Sequence, residues 1–559
     1  MLLRKCSWAG ALALVVLALG CSEARTTTGK GEDESVPEEQ RYGGTAVVAE
    51  GADLDDLNPL TSTNANSNYI ISDLLFMPLL RRNEQLVEEP YLAKAWEVND
   101  DSTHLTFHLR DDVAWHDNTR VTAYDLKFSY DRARDPQTAF PNGNEFASYG
   151  EGVAVDSFTF RVEFTPHAEF LSPWVAFAPV PRHILEGVPP SELRKHTFGT
   201  ARPIGNGPFR FVARAQGQQW VFEANDRFPA DLGGRPYLDR IVYRVIPEAT
   251  TQLTELLTGD VDYLPRINPD QRGQLHASGN ARVVAYKPPN SRYIVWNTRR
   301  PLFEDVRVRR ALTMAIDRQE IIDGILLGNA DLANSAVPPA HWPYDREAGA
   351  DLRHSPEAAR RLLTEAGWQD RDGNGTIEDP DGREFRFTLL TTRGNDVRAD
   401  IVEKVASDLR EVGIVAEPRL MEFTTLVARL GDKARDFDAV LTGVALGLAP
   451  RSPSDGFHCR NRDQVWQQSG ICDSELDRLL DTIPLVVDRA AAQPLWSDLQ
   501  YRMATLQPSS FLYHEHMLAG VASRLQNVRP DARSPYVGAR HWWILPQARR
   551  TGGAQGPPN

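Results

Sequence analysis

The amino-acid sequence predicts an α/β protein, because strand-like and helix-like apolar patterns alternate along most of its length. Apolar and polar residues alternate at 105–109, 158–164 and 241–245, which is the period of a half-buried strand. Elsewhere apolar residues recur every three or four positions, which is the period of an amphipathic helix. The chain has 559 residues, which is enough for more than one domain.

The individual elements can be placed in chain order. A short β-rich run at 45–49 precedes the three alternating segments. One helix is predicted at 305–328, with Asp as its cap and Gly at its end. A second is predicted at 355–367, where Ser-Pro opens the helix and Gly closes it, and a third ends at 413. We interpret these apolar faces as core packing, so they indicate a fold class and not a function.

The first twenty-one residues have the pattern of a lipoprotein signal peptide. Arg4 and Lys5 precede an apolar stretch at 9–19, which is too short to span a bilayer. The small residues that lead to Cys21 resemble a lipobox, although Ala18 stands where that motif usually has Leu. We predict a diacylglycerol anchor on Cys21; the alternative is an ordinary secretory signal with an unrelated cysteine.

Composition and charge are those of an ordinary globular protein with an acidic surface. Apolar residues make up 41% and charged residues 25%, and the formal net charge is −14. This charge excludes nucleic acid as the expected partner, because phosphate binding needs a basic face. Residues 22–41 are too polar to form a core and are predicted to be a flexible tether, and the tail at 549–559 is predicted to fray.

Two cysteines, Cys459 and Cys472, remain once Cys6 is assigned to the signal and Cys21 to the lipid. Outside the cytoplasm such a pair can form a disulfide, and we predict this bond. The alternative is a metal site, but structural zinc needs four ligands.

Six phrases along the mature chain resemble the extracellular solute-binding proteins of ABC importers, in the peptide/nickel-binding family. They are Tyr42–Leu60 with its Asp-x-Leu-x-Pro turn, Tyr91–Pro136 around Trp115-His116-Asp117, PIGNGPFRF at Pro203–Phe211, Phe303–Ile322, SPEAARRLLTEAGW at 355–368 and VRPDARSPYVGARHWW at 528–543. They occur in the order that this family shows and span nearly the whole mature chain. In the third phrase, Gly205 and Gly207 are expected to supply positive φ or close approach of the backbone.

The resemblance implies a bilobal fold of the periplasmic-binding-protein type (class II, cluster C), with an extra domain on the first lobe. A solute would be held between the lobes, and closure would be a hinge motion. The implied boundaries are 1–21 signal peptide, 22–41 tether, 42–75 plus 206–292 plus 518–548 first lobe, 76–205 extra domain, 293–517 second lobe and 549–559 tail. The hinge segments are expected near Lys287–Trp296 and Pro508–Ala519.

A segment at 370–381 has the spacing of a calcium-binding loop. Gly375 stands at the sharp turn of this pattern, and a strand is predicted after the loop where an EF-hand has a helix. The candidate ligands are Asp370, Asp372, Asn374, Thr376, Glu378 and Asp381. The last of these is an Asp where an EF-hand has a bidentate Glu. The loop therefore predicts a structural Ca²⁺ site, or else a turn whose carboxylates are simply solvated, and no cofactor is required.

The sequence signal for the residues that contact the solute is less specific. In peptide-binding relatives an acid in the second lobe, after a Gly-Trp pair, holds the free amine of the peptide. The corresponding segment here is 442–459, where Val444 replaces Trp and no acid precedes Asp455. The candidates are Asn64, Asn66, Asn68, Trp296, Asp455, His458, Tyr513 and His514. The solute could thus be a peptide, a modified peptide, an oligosaccharide or another molecule.

The sequence favours a non-enzymatic receptor that captures a solute and delivers it to a membrane permease. The protein is expected to be a monomer, outside the cytoplasm and anchored by lipid to a bacterial membrane. A sensor that binds a solute without transport is an alternative, as is a structural lipoprotein. A secreted hydrolase is a fourth, although no Gly-x-Ser-x-Gly or His-Glu-x-x-His motif occurs.

Overall fold

A computed structural model describes residues 36–550 of the chain. The predicted signal peptide, Cys21 and most of the predicted tether lie outside the described residues, as does the end of the predicted tail. Within the described residues the strands are β1 Thr45–Glu50, β2 Leu80–Arg82, β3 Glu88–Pro90, β4 Ala93–Val98, β5 His104–Leu109, β6 Tyr149–Ala154, β7 Thr159–Phe164, β8 Phe209–Ala215, β9 Gln219–Ala224, β10 Arg240–Val245, β11 Tyr263–Ile267, β12 Ala281–Tyr286, β13 Asn290–Trp296, β14 Ala330–Leu332, β15 Arg386–Thr392, β16 Val415–Met421, β17 Ala439–Ala445, β18 Ser509–Glu515, β19 Met517–Ala522, β20 Leu525–Gln526 and β21 Trp543–Ile544.

The α-helices of the same residues are distributed between and after these strands. They are α1 Ala65–Ile70, α2 Ala123–Arg134, α3 Ser172–Ala176, α4 Arg182–Leu185, α5 Phe198–Ala201, α6 Ala249–Thr258, α7 Arg272–Ser278, α8 Val306–Ala315, α9 Arg318–Glu320, α10 Pro356–Glu365, α11 Asp396–Glu411, α12 Phe423–Gly431, α13 Ser454–Phe457, α14 Ser474–Thr482 and α15 Arg489–Leu506. Among residues 36–550, none of these helices combines the length and the apolar character needed to cross a bilayer.

Two large sheets organise the molecule. The first has seven strands in the order β12-β19-β11-β1-β10-β9-β8, and the second has six in the order β14-β18-β13-β17-β15-β16. A separate four-stranded sheet, β4-β5-β7-β6, lies in the segment assigned to the extra domain. Its strand β5 alternates between half-buried and buried residues, as its sequence predicted.

The chain passes between the two large sheets only twice within the described residues. It leaves the first sheet after Tyr286 and enters the second at Asn290, and it returns between Glu515 and Met517. Both crossings fall inside the predicted hinge segments. Asp331 contacts both of them, since its carboxylate accepts from Lys287 Nζ at 2.8 Å and lies 2.9 Å from His516 Nε2.

The first sheet is buried on both faces. Alternate residues of β1 point to different cores: Ala46 and Val48 pack with the extra domain, whereas Val47 and Ala49 pack beneath α6 and α7. The extra domain and the first lobe therefore share one continuous hydrophobic core. This arrangement leaves the ends of the strands as the parts of the sheet that can face a partner lobe.

The two glycines of PIGNGPFRF are explained by close approach and not by positive φ. A Cβ on Gly205 would lie 1.8 Å from the carbonyl oxygen of Leu75, and one on Gly207 would lie 2.5 Å from that of Leu74. His116 secures the same segment, because its ring accepts from the Gly205 N–H at 3.2 Å. The turn at Trp115-His116-Asp117 thus packs against this loop.

The helix predicted at 305–328 is wrong in one respect, because the structure divides it. Asp305 caps α8 by accepting from the Arg307 N–H at 2.8 Å, as predicted. Ile316 is extended, however, with φ −82° and ψ 121°, and α8 ends there. Asp317 then caps α9 by accepting from the Glu320 N–H at 2.9 Å. A second capping side chain competes with helix continuation, which apolar periodicity alone does not reveal.

Cys459 and Cys472 form a disulfide, as predicted, with their Cα atoms 4.6 Å apart. The bond ties the segment after α13 to the start of α14. The Cys459 N–H also donates to Asp477 on α14 at 2.9 Å, so the disulfide and this hydrogen bond hold the same two segments.

Candidate functional site

The first sheet places three charged or aromatic residues at the edge where the chain crosses to the second lobe. Strands β1 and β10 run parallel, and β11 runs parallel to β1, so their carboxyl ends meet at one edge. Glu50 is the last residue of β1, and Arg266 is near the end of β11. Tyr286 ends β12, immediately before the crossing. Ligands of open α/β sheets bind at such carboxyl ends.

Glu50 is half-buried and lies among tyrosine hydroxyls. The Tyr536 hydroxyl donates to Glu50 Oε1 at 3.4 Å, and Tyr243 donates to the Ala52 carbonyl just beyond it at 2.8 Å. Burial raises the pKa of Glu50 to about 7, although the Arg266 charge and hydrogen bonds from Tyr536 and Asn66 oppose the rise. The surroundings of Glu50 therefore favour the protonated, neutral form of its carboxyl.

The facing edge of the second sheet is rich in arginine. Arg292 on β13 donates to Glu515 Oε2 at 2.7 Å, which links the start of β13 to the end of β18. Its side chain lies over Gly443, where a Cβ would approach Arg292 Nη1 to 2.3 Å. Arg398 on α11 donates to the Thr392 hydroxyl at 2.7 Å. Burial lowers the pKa of Arg398, and the charge of Arg292 lowers it further.

A buried ion cluster joins the two lobes away from the crossings. We define this interlobe ion cluster as Arg82, Glu88, Glu169 and Arg489. Arg489 at the start of α15 lies 2.7 Å from Glu169 and 3.3 Å from Glu88, and Glu88 lies 2.9 Å from Arg82. The side chains of both glutamates are at most 10% exposed. In this structure the extra-domain side therefore contacts the second lobe.

Further bonds cross the same interface. The Ala168 N–H donates to the Pro484 carbonyl at 2.8 Å, and Trp342 Nε1 donates to Glu169 at 3.0 Å. Arg451 pairs with Glu145 at 2.8 Å. The lobes thus touch through polar contacts, which can separate into water more readily than an apolar interface can.

Of the three asparagines predicted to contact a solute, the structure places one beside Glu50. Asn64 is the cap of α1, since its side chain accepts from the Asn66 and Ser67 N–H groups at 2.8 and 3.1 Å. Asn68 is exposed. The Asn66 amide lies 3.5 Å from the Tyr243 hydroxyl, and it is the one of the three that contributes to the Glu50 environment.

The other predicted ligand residues are dispersed. Trp296 is fully buried, donates to Ser510 at 2.9 Å and packs on Phe303, so it offers no surface to a solute. Asp455 is exposed on α13. His458 is buried against α14, where its ring lies 3.1 Å from Asp481.

Tyr513 and His514 lie near the crossings. Tyr513 is buried at the edge that carries Arg292, Arg398 and Glu515, which all influence its ionisation. The His514 ring contacts the Asn290 carbonyl at 3.3 Å, and burial lowers its pKa to about 4. Tyr513 therefore belongs to the facing edges, whereas neutral His514 packs beside the first crossing.

The predicted calcium loop brings three of its six candidate ligands together. Single carboxylate oxygens of Asp370, Asp372 and Glu378 lie within 4.8 Å of one another. Two oxygens on one Ca²⁺ are at most about 5 Å apart, since each Ca–O bond is about 2.4 Å, so the spacing fits this ion. Gly375 has φ +89°, as the sharp turn requires. Asp381 is outside this group and faces Arg383 at 3.4 Å.

Asn374 and Thr376 shape this loop through the backbone. The Asn374 side chain accepts from the Thr376 N–H at 2.7 Å, and Asp372 accepts from the Asn374 N–H at 3.0 Å. Among residues 36–550 this is the only group of three or more His, Cys, Asp or Glu side chains close enough to share a metal ion.

Sequence reasoning missed Glu50, Arg266, Arg292 and Arg398. Each is an isolated charged residue at the end of an element, and such residues are usually solvated. The available signal for Glu50 was its position directly after an apolar β-run, at the carboxyl end of a parallel strand. Nothing local distinguishes Arg292 or Arg398, because their facing position depends on which strands pair.

Two α/β lobes, joined by two short crossings and meeting at charged strand ends, define the class of two-lobed binding proteins. The comparisons agree with this class. The model of bacterial extracellular solute-binding proteins, family 5 (middle region), matches residues 88–458. The chain belongs to this family of solute-binding proteins, and the bilobal fold that its sequence predicted is confirmed.

Relatives match along nearly the whole chain. The oligopeptide-binding protein AppA of Bacillus subtilis is 28% identical over 544 residues, which are 95% of this chain and 97% of that protein. The structure of that AppA in complex with a nonapeptide has a TM-score of 0.72 and covers 90% of this chain and 99% of its own. The substrate-binding protein CtaP of Listeria monocytogenes has a TM-score of 0.80 at 21% identity, with 90% and 99% coverage.

Proposed function

We propose that the protein captures a peptide between its two lobes and delivers it to the permease of an ABC importer, without making or breaking a bond. The observation that carries this proposal is the pair of facing strand ends, with Glu50 and Arg266 on one lobe and Arg292 and Arg398 on the other. Peptides offer amines, carboxylates and amides that such groups bind. The full-length similarity to a protein solved with a nonapeptide supports the same solute class. The protein works as a monomer, since one chain contains both lobes.

The test is capture followed by closure. The mature protein is purified from its native host, and whatever copurifies is identified by mass spectrometry. The protein is then unfolded, refolded without ligand and titrated with the recovered molecules while its radius of gyration is measured by X-ray scattering. A recovered peptide that reduces the radius supports the proposal. A recovered sugar, or a peptide that leaves the radius unchanged, contradicts it.

We also propose that the protein is held outside the cytoplasm by lipid on Cys21. The basic head, the apolar stretch at 9–19 and the cysteine after small residues support this anchor. The Cys21→Ala precursor is expected to move from the membrane fraction to the soluble or secreted fraction, which immunoblotting of the fractions measures. A variant that stays with the membrane would contradict the anchor.

A third proposal is a structural Ca²⁺ held by Asp370, Asp372 and Glu378. Oxygen ligands of this type suit a hard cation, and the ion would join the end of the segment after α10 to the segment before β15. The fit of three carboxylate oxygens within 4.8 Å supports it.

A further inference from the structure

The surroundings of Glu50 contain phenols and an amide but no paired cation. Ion pairs in residues 36–550 engage many carboxylates, but none of them joins a Lys or Arg to Glu50. Arg266 attracts Glu50 electrostatically without contacting it, and its own side chain is exposed. The donors beside Glu50 are neutral: the Tyr536 hydroxyl at 3.4 Å, which is a long contact, and the Asn66 side-chain amide.

The tyrosines near Glu50 come from segments that are widely separated along the chain. The tyrosines whose ionisation its charge suppresses are Tyr69, Tyr243, Tyr263, Tyr286 and Tyr536. The charge of Asp73, whose Oδ2 is buried without a hydrogen bond, also raises the pKa of Tyr69. The charge of Glu515 of the second lobe also raises the pKa of Tyr286. Apart from Arg266, the groups around Glu50 are therefore neutral or acidic.

A half-buried carboxylate in such surroundings favours a cation from outside. An ionised carboxylate removed from water is costly unless it is paired, and aromatic rings add attraction for a cation. Glu50 keeps partial exposure at the edge that faces the second lobe, so a ligand can reach it. Two of the rings, Tyr69 and Tyr286, flank this edge: Tyr69 is half-buried, and Tyr286 ends β12 at the crossing.

At the facing edge of the second lobe, no free carboxylate lies at the end of β17 or beside Arg292. Residues 442–447 at the end of β17 carry no carboxylate, and Glu515 is already paired with Arg292. Arg398 lies nearby without an ion pair among residues 36–550, and its guanidinium donates to the Thr392 hydroxyl at 2.7 Å. Of the carboxylates Glu50 and Glu515 at these edges, Glu50 is thus the one without an ion pair among the described residues.

We propose that Glu50 of the first lobe is the residue that binds the protonated amine of the captured solute. This inference rests on the proposed function and deepens it, because it names the ligand group and the lobe that holds it. Since burial raises the pKa of Glu50 to about 7, a bound ammonium also stabilises its ionised form. Affinity for an amine-bearing solute is then expected to fall as the pH drops below about 7.

The experiment titrates the ligand-free mature protein by calorimetry with pooled tri- to penta-alanine peptides, and with the same peptides after N-acetylation. Wild type is expected to bind the free-amine pool about tenfold to a hundredfold more tightly than the acetylated pool at pH 8, which is the usual effect of a charged hydrogen bond. Glu50→Gln is expected to bind both pools alike. Glu403→Gln, an exposed glutamate on α11, serves as the control and keeps the wild-type preference.

Two further measurements keep the test independent of the stability of one variant. Wild type is titrated at several pH values, and its preference for the free amine is expected to decrease below about pH 7. Glu50→Asp, which keeps the carboxylate, is expected to restore part of the preference. A preference that survives in Glu50→Gln would overturn the role of Glu50 alone. Failure of wild type to bind either pool would overturn both this inference and the proposed peptide function.

Discussion

At the scale of the residue, burial shifts the pKa of several ionisable side chains. Glu50 ends an apolar strand and is surrounded by phenols, so its carboxyl resists ionisation. His514 and His116 are buried, which lowers the pKa of each to about 4 and keeps both neutral at physiological pH. These histidines therefore act as uncharged packing and hydrogen-bonding groups, whereas Glu50 titrates close to neutrality.

The Glu50 carboxyl is expected to make stability depend on pH. Its pKa rises from 4.5 to about 7 on folding, so between these values the folded protein binds more protons than the unfolded chain. The free energy of unfolding therefore falls as the pH rises through this window. Glu50→Gln removes this term and is expected to melt higher than wild type at pH 8 and at the same temperature at pH 4, by differential scanning calorimetry. An offset that is equal at both pH values would contradict the shift.

At the scale of the element, short side-chain caps and loops decide where regular structure stops. Asp317 ends a helical pattern that apolar spacing alone would continue, because its carboxylate caps the next turn. The loop at 370–381 folds through its own side chains: Asp370 accepts from the Gly373 and Gly375 N–H groups at 2.8 and 3.0 Å. The loop is thus organised around the oxygens that would hold an ion.

Calcium is expected to stabilise the second lobe through this loop. In wild type, millimolar CaCl₂ is expected to raise the melting temperature and excess EGTA to reverse the rise, because an ion that binds only the folded state stabilises it. Asp372→Asn removes one of the three clustered carboxylates and is expected to abolish the response.

Asp381→Asn provides the matched control for this test. Asp381 belongs to the same loop but lies outside the carboxylate cluster, so the variant is expected to respond to calcium as wild type does. Loss of the response in Asp381→Asn alone would place the ion differently, and no response in wild type would reject the site.

At the scale of the whole molecule, two kinds of contact connect the lobes. The crossings at 287–289 and 516 are short, and Asp331 contacts both Lys287 and His516. The interlobe ion cluster lies elsewhere and joins the extra-domain side to α15. A hinge with a polar interface is suited to reversible closure, because its contacts can exchange with water.

Arg489→Met is expected to favour the open form. The substitution leaves Glu88 and Glu169 without their shared cation, and breaking one partner of a buried pair costs about 3–5 kcal/mol, less here because Arg489 is partly exposed. We expect a larger radius of gyration by X-ray scattering and weaker ligand binding. Arg478→Met, which removes an exposed pair with Glu475 on α14, is the control and should leave both unchanged. An Arg489→Met protein as compact as wild type would contradict the role of the cluster in closure.

Much of the fold could be predicted from local sequence. The period-two segments at 105–109, 158–164 and 241–245 became β5, β7 and β10, because alternation is a property of neighbouring residues. Ser355 and Asp305 cap helices where their sequence places them. The disulfide partners and the candidate calcium ligands were likewise visible as short-range patterns.

The candidate solute site depended on contacts that local sequence does not contain. Trp296 was predicted to face a solute but fills a core with Phe303, since strand register sends its ring inward. Burial raises the pKa of Glu50, and Tyr536, which donates to its carboxylate, is distant in the chain.

The sequence by itself determined the α/β class, the family and the order of the elements, because these follow from periodicity, caps and short motifs. Only the tertiary structure decided which charges meet between the lobes. Burial and strand pairing set the environment of Glu50, Arg292 and Arg398, and both arise from residues brought together across the folded chain.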